Sequence, residues 1–165
     1  MIAGNLYAYA QQVALALRQR QWRLAVAESC TGGGLFYVLT DVPGSSQWLT
    51  RGYITYEDAA KIEDLGVDAA LIQQDGAVSA SVAEQMARGA LAKTGADIAV
   101  SITGVAGPSG GCTSKPVGCV FSSMALHAGP VVHWQKQFSG GRSNVRALAI
   151  EYALQQLLVV TRGPR

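Results

Sequence analysis

The chain has 165 residues, of which 49% are apolar and 15% are charged, as is typical of one globular domain. This composition argues against a disordered segment and against a coiled coil. Thirteen basic and eleven acidic residues give a net charge of +2 without a basic cluster, so nothing supports a nucleic-acid-binding surface.

Helices and strands alternate along most of the chain, as the spacing of apolar residues shows. In the first half, the pattern predicts a helix capped by Asn5, a strand over 23–28, a helix over 35–40, a strand over 52–56 and helical turns over 60–65 and 69–74. In the second half, it predicts a helix with a capping box at Ser81 and Glu84, a strand over 97–103, a β-hairpin of 117–126 and 131–138, and a helix capped by Ser143. This order predicts a three-layer α/β/α domain over 1–161 with a mixed sheet of about five strands, followed by a tail at 162–165.

Two helices carry further expectations about packing. Small residues at Gly89 and Ala90 should let one helix approach the sheet closely. In the last helix, the residues expected to face inward are Val145, Leu148, Ala149, Tyr152 and Val159.

Several classes of protein are disfavoured by what the sequence lacks. No apolar run approaches the roughly 20 residues of a membrane span, and the N-terminus does not resemble a signal peptide. The three cysteines include no Cys-x-x-Cys pair, and the two histidines are far from other candidate ligands. We therefore expect a cytoplasmic protein with no membrane partner, no metal and no cofactor.

The first candidate for chemistry is Ser29, at the end of a predicted strand and shortly before a helix. Ligands of open α/β sheets collect at such strand ends, and unpaired amides of a helix N-terminus can stabilise an anion. Ser29 can therefore be an exposed nucleophile; an equally good interpretation is that Ser29 or Thr31 simply caps the helix. Cys30 is a weaker nucleophile candidate and is better explained as a small buried side chain.

Three other features complete the candidate site. Lys61 can serve as a general base if burial lowers its pKa, although a solvated surface charge is the simpler interpretation. The glycine-rich loop 104–116 can bring backbone amides close to an anion, or can be an irregular turn. Arg142, before the last helix, can clamp a phosphate. Together these features describe a site for a small phosphorylated ligand beside a nucleophile.

Five short segments, in order, resemble the CinA C-terminal domain family over about residues 6–158. They are AESCTGG at 27–33, DVPGSS at 41–46, GAVS at 76–79, TGVAGP at 103–108 with Gly110 and Gly111, and KPVG at 115–118. Several segments in the right order are more specific than any single glycine motif.

This resemblance implies a strand order of 2-1-3-4-5 with strand 4 antiparallel. It implies hydrolysis of the carboxamide of nicotinamide mononucleotide to nicotinic acid mononucleotide and ammonia, without metal or cofactor. Ser29 matches the nucleophile, Lys61 the base and Tyr56 a neighbouring polar group; the amides of Thr31, Gly32 and Gly33 are expected to hold the oxyanion. The residues expected to line the nucleotide site are Gly104, Gly107, Gly110, Gly111 and Arg142. A homo-oligomer is also expected.

One segment departs from the family pattern. The family usually reads TYSNEAK where this chain has TYEDAAK at 55–61. Carboxylates at Glu57 and Asp58 are expected to raise the pKa of Lys61 and to weaken it as a base. The alternative function is therefore a slow or inactive nucleotide-binding or regulatory domain. A role as a DNA-associated competence factor would rest on the family name alone.

Overall fold

A mixed sheet of five strands organises the computed structural model, which describes residues 4–163. The strands are β1 Leu24–Glu28, β2 Leu49–Ile54, β3 Ile98–Gly104, β4 Cys119–Leu126 and β5 Val131–Gln137. Their order is β2-β1-β3-β4-β5, in which β1 pairs parallel with β2 and β3, and β4 pairs antiparallel with β3 and β5. The expected strand order and the antiparallel β4 are confirmed.

Within residues 4–163, six α-helices cover the two faces of this sheet, which confirms the α/β/α architecture. They are α1 Gly4–Arg20, α2 Gly34–Thr40, α3 Asp58–Leu65, α4 Ala69–Asp75, α5 Ala80–Thr94 and α6 Arg142–Arg162, with a short 3-10 turn at Ser45–Gln47. Residues of α1, α2 and α6 share one apolar cluster with the sheet, whereas residues of α3 and α5 share another. None of the described helices is long and apolar enough to cross a membrane.

The strand β1, which lies between β2 and β3, is buried along its whole length because helices cover both of its faces. On one face Leu24 and Val26 join the larger cluster, and on the other Ala25 and Ala27 join the smaller one. The small alanines allow α5 to pack close to the sheet through Ala90. The direct consequence is that the residue following β1 is held in a rigid frame.

Three predicted helix caps are wrong. Ser79, with an extended backbone, caps α5 by accepting from the amide of Val82, whereas Ser81 donates to the Asp75 carboxylate. Ser143 lies inside the first turn of α6, which Gly141 caps. Asn5 lies inside α1, and its side chain donates to Glu151 on α6. A capping residue needs an extended backbone just before the helix, and the predictions for α5 and α6 placed it two residues too late.

Packing of two side-chain positions also differs from expectation. A Cβ atom on Gly89 would lie 2.0 Å from the carbonyl oxygen of Leu65, so this glycine allows α5 to approach the end of α3 rather than the sheet. Val159 is 64% exposed, although Val145 and Ala149 are buried as predicted. The apolar stripe of α6 therefore does not include Val159.

The ends of some elements also shift. β2 begins at Leu49 and ends at Ile54, and its register with β1 is irregular where Thr50 is passed over. The helix α6 includes Arg162, the first residue of the predicted tail, whose side chain donates to Gln12. The N-terminal residues 1–3 and the last two tail residues, 164 and 165, lie outside the described part of the chain.

Candidate active site

The carboxyl ends of the parallel strands meet at one edge of the sheet, and a cavity of about 240 Å³ opens there. Ser29 follows β1, Tyr56 lies two residues after β2, and Gly104 ends β3. The strand β5 ends at the same edge, because it runs antiparallel to β4, and the chain then enters α6 at Arg142. These residues and Lys61 all line the cavity.

Ser29 lines the cavity, and its backbone is held by two hydrogen bonds. The Ser29 amide donates to the carbonyl of Ile102 at 2.9 Å, and the Ser29 carbonyl accepts from the amide of Gly32 at 3.0 Å. The residue is 8% exposed. Within residues 4–163, the hydroxyl makes no hydrogen bond of its own, so it is available to a ligand.

The buried carboxylate of Glu28 occupies the N-terminus of α2. Its two oxygens accept from the amides of Leu35 and Phe36 at 3.0 and 2.8 Å. The first amides of α2 are therefore paired, and the prediction that they are free is wrong. The amide of Gly32 is also engaged, since it donates to Ser29.

Free amides remain in the turn between β1 and α2. In the described chain, the amides of Cys30, Thr31 and Gly33 donate to no carbonyl or side chain. The turn is fixed from behind, because the guanidinium of Arg146 donates to the carbonyl of Thr31 at 3.0 Å. A fixed turn with unpaired amides next to a serine can stabilise an oxyanion formed at that serine.

Lys61 is 1% exposed, so the interpretation as a surface charge is wrong. Its Nζ donates to the backbone carbonyls of Thr55, Tyr56 and Glu57 at 3.0, 3.2 and 3.4 Å. The carboxylate of Asp58 lies 3.8 Å from the same nitrogen. Three carbonyls match the three N–H groups of an ammonium, whereas a neutral amine needs only two of them.

Burial lowers the pKa of Lys61, and the negative charge of Asp58 raises it by a smaller amount. The expected direction of the Asp58 effect is confirmed, but the net shift is downward because removal from water dominates. Glu57 contacts Lys61 through its main-chain carbonyl. The neutral amine therefore forms at a lower pH than it does in an exposed lysine.

Cys30 lines the cavity beside Ser29 but is unsuited to act as a nucleophile. Burial, with the negative charge of Glu28, raises the pKa of its thiol to about 12, against smaller opposing effects of its own backbone and of Arg146 and Lys61. A thiol with such a pKa stays protonated near neutrality. Cys30 is therefore a small buried side chain in the wall of the cavity, as the sequence indicated.

Arg142 bridges two walls of the cavity. Its guanidinium donates to the Tyr56 hydroxyl at 2.7 Å and to the carbonyl of Gly107 at 2.8 Å. Both Tyr56 and Arg142 are exposed at the rim. The guanidinium thus joins the segment after β2 to the glycine-rich loop, and it can still turn a free edge toward an anion.

The structure brings most of the predicted site residues together, but not all of them. Ser29, Tyr56, Lys61, Gly104 and Arg142 line the cavity, whereas Thr31, Gly32 and Gly33 form the turn behind Ser29. Gly107 contributes its carbonyl to Arg142. Gly110 and Gly111 are exposed and lie outside the cavity wall.

Sequence reasoning missed several residues of the wall: Asp58 as a lining group, Ala77, Val78, Thr103 and Ala106. Thr103 donates to the carbonyl of Ala77 at 2.9 Å and so draws the turn before α5 against the end of β3. Thr103 could have been found, because it is the last residue of the predicted strand over 97–103 and Ser29 was selected at the end of another predicted strand. The position of Ala77 and Val78 depends on tertiary contacts that leave no local signal.

Fold and site together define an α/β/α protein with a serine and a buried lysine in one cavity at the carboxyl edge of a mixed sheet. A family model of the CinA C-terminal domain matches residues 6–161, and the chain belongs to that family. The nicotinamide-nucleotide amidohydrolase PncC of Enterobacter agglomerans is 45% identical over 158 residues, which cover 96% of each chain. The protein of the same name from Escherichia coli K12 is 45% identical and is covered to 95%.

A solved structure is similarly close in fold. The crystal structure of the competence/damage inducible protein CihA from Agrobacterium tumefaciens has a TM-score of 0.94, at 35% identity and with 99% of each chain covered. Because the similarity spans both chains almost completely, the family assignment applies to the whole described domain.

Proposed function

We propose that the chain is an amidohydrolase that converts nicotinamide mononucleotide to nicotinic acid mononucleotide and ammonia, with Ser29 as nucleophile and Lys61 as base. The observation that carries this proposal is that Ser29 shares one cavity with a buried lysine whose pKa is lowered. The relatives that are named nicotinamide-nucleotide amidohydrolases supply the substrate.

In the first half of the reaction, neutral Lys61 accepts the proton of the Ser29 hydroxyl, and Ser29 Oγ attacks the carboxamide carbon. The carbonyls of Thr55, Tyr56 and Glu57, with Asp58, stabilise the ammonium that results. Lys61 then gives this proton to the amide nitrogen, the carbon–nitrogen bond breaks, and ammonia leaves an ester on Ser29.

In the second half, water attacks the ester carbon while Lys61 takes one of its protons. The bond to Ser29 Oγ breaks, and Lys61 returns the proton to that oxygen. The sum of the two halves is amide plus water giving carboxylic acid and ammonia, and the protein returns to its starting state.

The charge on the carbonyl oxygen needs donors in both tetrahedral intermediates. The amides of Cys30 and Thr31 fit this role, because they are unpaired and directly follow the nucleophile. Removal of one such donor typically costs about 10²–10³ in kcat. In this proposal, the guanidinium of Arg142 and the backbone of the loop from Gly104 bind the phosphate at the rim.

A second candidate function, a nucleotide-binding domain with little or no turnover, is favoured by one observation. The nitrogen of Lys61 is surrounded by three carbonyls and a carboxylate, all of which stabilise its protonated form. A lysine that stayed protonated would leave Ser29 without a base.

Ammonia release from nicotinamide mononucleotide by the purified protein separates the two functions. We expect Ser29→Ala and Lys61→Met each to lower kcat by at least about 10³-fold, while Ser46→Ala and Lys93→Met, at exposed positions, keep full activity. Hydroxylamine should trap the ester as a hydroxamate only when Ser29 is present. Binding without turnover, unaffected by Ser29→Ala, would support the binding domain instead.

Two wider expectations belong to the same proposal. We propose a cytoplasmic location, because the cysteines Cys30, Cys112 and Cys119 are all free, as expected in a reducing compartment. We propose a homo-oligomer as the active state. Sedimentation of the protein at micromolar concentration in the analytical ultracentrifuge would test this, and a monomer would contradict it.

A further inference from the structure

Asp58 places a negative charge in the wall of the cavity. It is the one acidic side chain among the described residues that line this cavity, and its side chain is 58% exposed. One carboxylate oxygen lies 3.8 Å from Lys61 Nζ, while the rest of the group is open to solvent. The carboxylate can therefore reach a bound molecule.

Ser29 and Asp58 line the same cavity of about 240 Å³. A ring whose carboxamide reaches Ser29 therefore shares this small cavity with the carboxylate of Asp58. The pyridinium ring of an oxidised nicotinamide nucleotide carries a positive charge on its nitrogen. A nearby carboxylate in a partly dry cavity attracts such a ring, and it gives nothing to an uncharged one.

We propose that Asp58 is a specificity-determining residue that selects amides attached to a cationic ring, and that its carboxylate passes from Lys61 to that ring when substrate binds. This inference rests on the proposed function, because it assumes that the reacting amide lies at Ser29.

The charges around Lys61 explain why the transfer matters for catalysis. Several groups share the cavity with Lys61. Asp58 lies on the same helix, and the neutral thiol of Cys30 lies in the turn after β1. The hydrogen-bonded pair of Tyr56 and Arg142 lies at the rim. A cationic ring brings a second positive charge into this space and draws on the carboxylate that stabilises the Lys61 ammonium. Both effects favour release of the lysine proton, so a cationic substrate helps to produce the neutral lysine that activates Ser29.

Two amides of nearly the same shape test this selection. Nicotinamide mononucleotide has a charged ring, and benzamide riboside 5′-phosphate is its uncharged carbon-linked counterpart. The preference is the ratio of kcat/KM for the first to that for the second; where the second is not hydrolysed, the preference is the dissociation constant of the second divided by that of the first, both measured on proteins that carry Ser29→Ala. Any change in Lys61 that affects both amides equally cancels in this ratio.

We expect Asp58→Asn to lower the preference by about three- to tenfold, the effect of one charge at about 6 Å in a partly solvated site. Asp64→Asn is the matched control, because Asp64 is an exposed aspartate on the same helix and lies outside the cavity wall. It should leave the preference unchanged. An equal loss on both amides, or an equal change in Asp64→Asn, would overturn the inference.

The pH dependence gives a readout that a merely structural role of Asp58 would not move. For the wild-type protein and the charged amide, the pKa that limits kcat should lie below the pKa that limits kcat/KM, since the first reports the complex and the second the free protein. With an uncharged amide that is hydrolysed, the two should coincide. If the wild-type protein releases no ammonia from nicotinamide mononucleotide, the proposed function itself fails, which is a separate outcome.

Discussion

Replacing Asp58 by asparagine should move the pH profile of the reaction toward lower pH. Lys61 must be neutral to accept the proton of Ser29, and Asp58 stabilises the protonated form from 3.8 Å. Without this carboxylate the pKa of Lys61 falls further, because burial then acts with less opposition. The acid limb of the kcat/KM profile, along which activity rises with pH, must therefore shift to lower pH.

The size of the shift follows from the distance. Two unit charges 3.8 Å apart interact by about 1 kcal/mol in water and by about 4 kcal/mol at an effective dielectric constant of 20. Because the Asp58 side chain is 58% exposed, its interaction lies near the lower figure. One pKa unit corresponds to about 1.4 kcal/mol, so the limb should move by about one pH unit.

The assay is ammonia release measured as kcat/KM from about pH 6 to about pH 10, the range that contains a lowered lysine pKa. The height of the plateau also changes if Asp58 attracts the substrate ring, but the position of the limb does not depend on that attraction. Asp64→Asn should leave the limb in place. A limb that stays fixed in Asp58→Asn, or moves to higher pH, would refute Lys61 as the base.

Three further predictions concern the frame of the site. Glu28→Gln leaves one acceptor oxygen for the amides of Leu35 and Phe36, where the carboxylate has two, and should lower the free energy of unfolding in urea by about 2–3 kcal/mol. Glu63→Gln, at an exposed site, should change it by less than about 0.5 kcal/mol. Gly89→Ala should destabilise the fold by more than about 2 kcal/mol, since the new Cβ would overlap the Leu65 carbonyl, although helix propensity alone favours alanine by about 1 kcal/mol; higher stability would contradict the close approach. Brief treatment of the native protein with iodoacetamide should label Cys112 before the two buried cysteines, because Cys112 is exposed and a hydrogen bond from Ser114 lowers its pKa. Peptide mass spectrometry measures the rate at each cysteine, and equal rates at all three would contradict the prediction.

The sequence was sufficient for the architecture because the signals for it are local. The run 24–27 is apolar and short, and a glycine-rich segment begins at Gly32, which predicts a buried strand. The alternation of such strands with helices predicts the layers. The same reasoning led to Ser29 and Thr103 as strand ends, although only Ser29 was selected. The strand order came from the family resemblance and not from the pattern.

The charge state of the site could not be predicted, because it depends on contacts between distant segments and on local loop geometry. The burial of Lys61 follows from the way the loop 55–57 wraps its carbonyls around the nitrogen. The role of Glu28 at α2 requires a carboxylate at the end of a strand to fold back toward a helix seven residues later. Likewise, Ser79 and Ser81 both suit a cap, and the choice is made by the contact of Ser81 with Asp75.

The antiparallel turn-back of β4 has a consequence for how the protein can be divided. Since β5 returns to the edge where β1 ends, the last helix starts beside groups encoded near the beginning of the chain. A fragment that stopped before α6 would retain the serine and the lysine, but it would lack the guanidinium and the helix that covers one side of the sheet. Turnover is thus a property of the intact polypeptide, and its return after dilution from denaturant should report completed assembly rather than the first secondary structure.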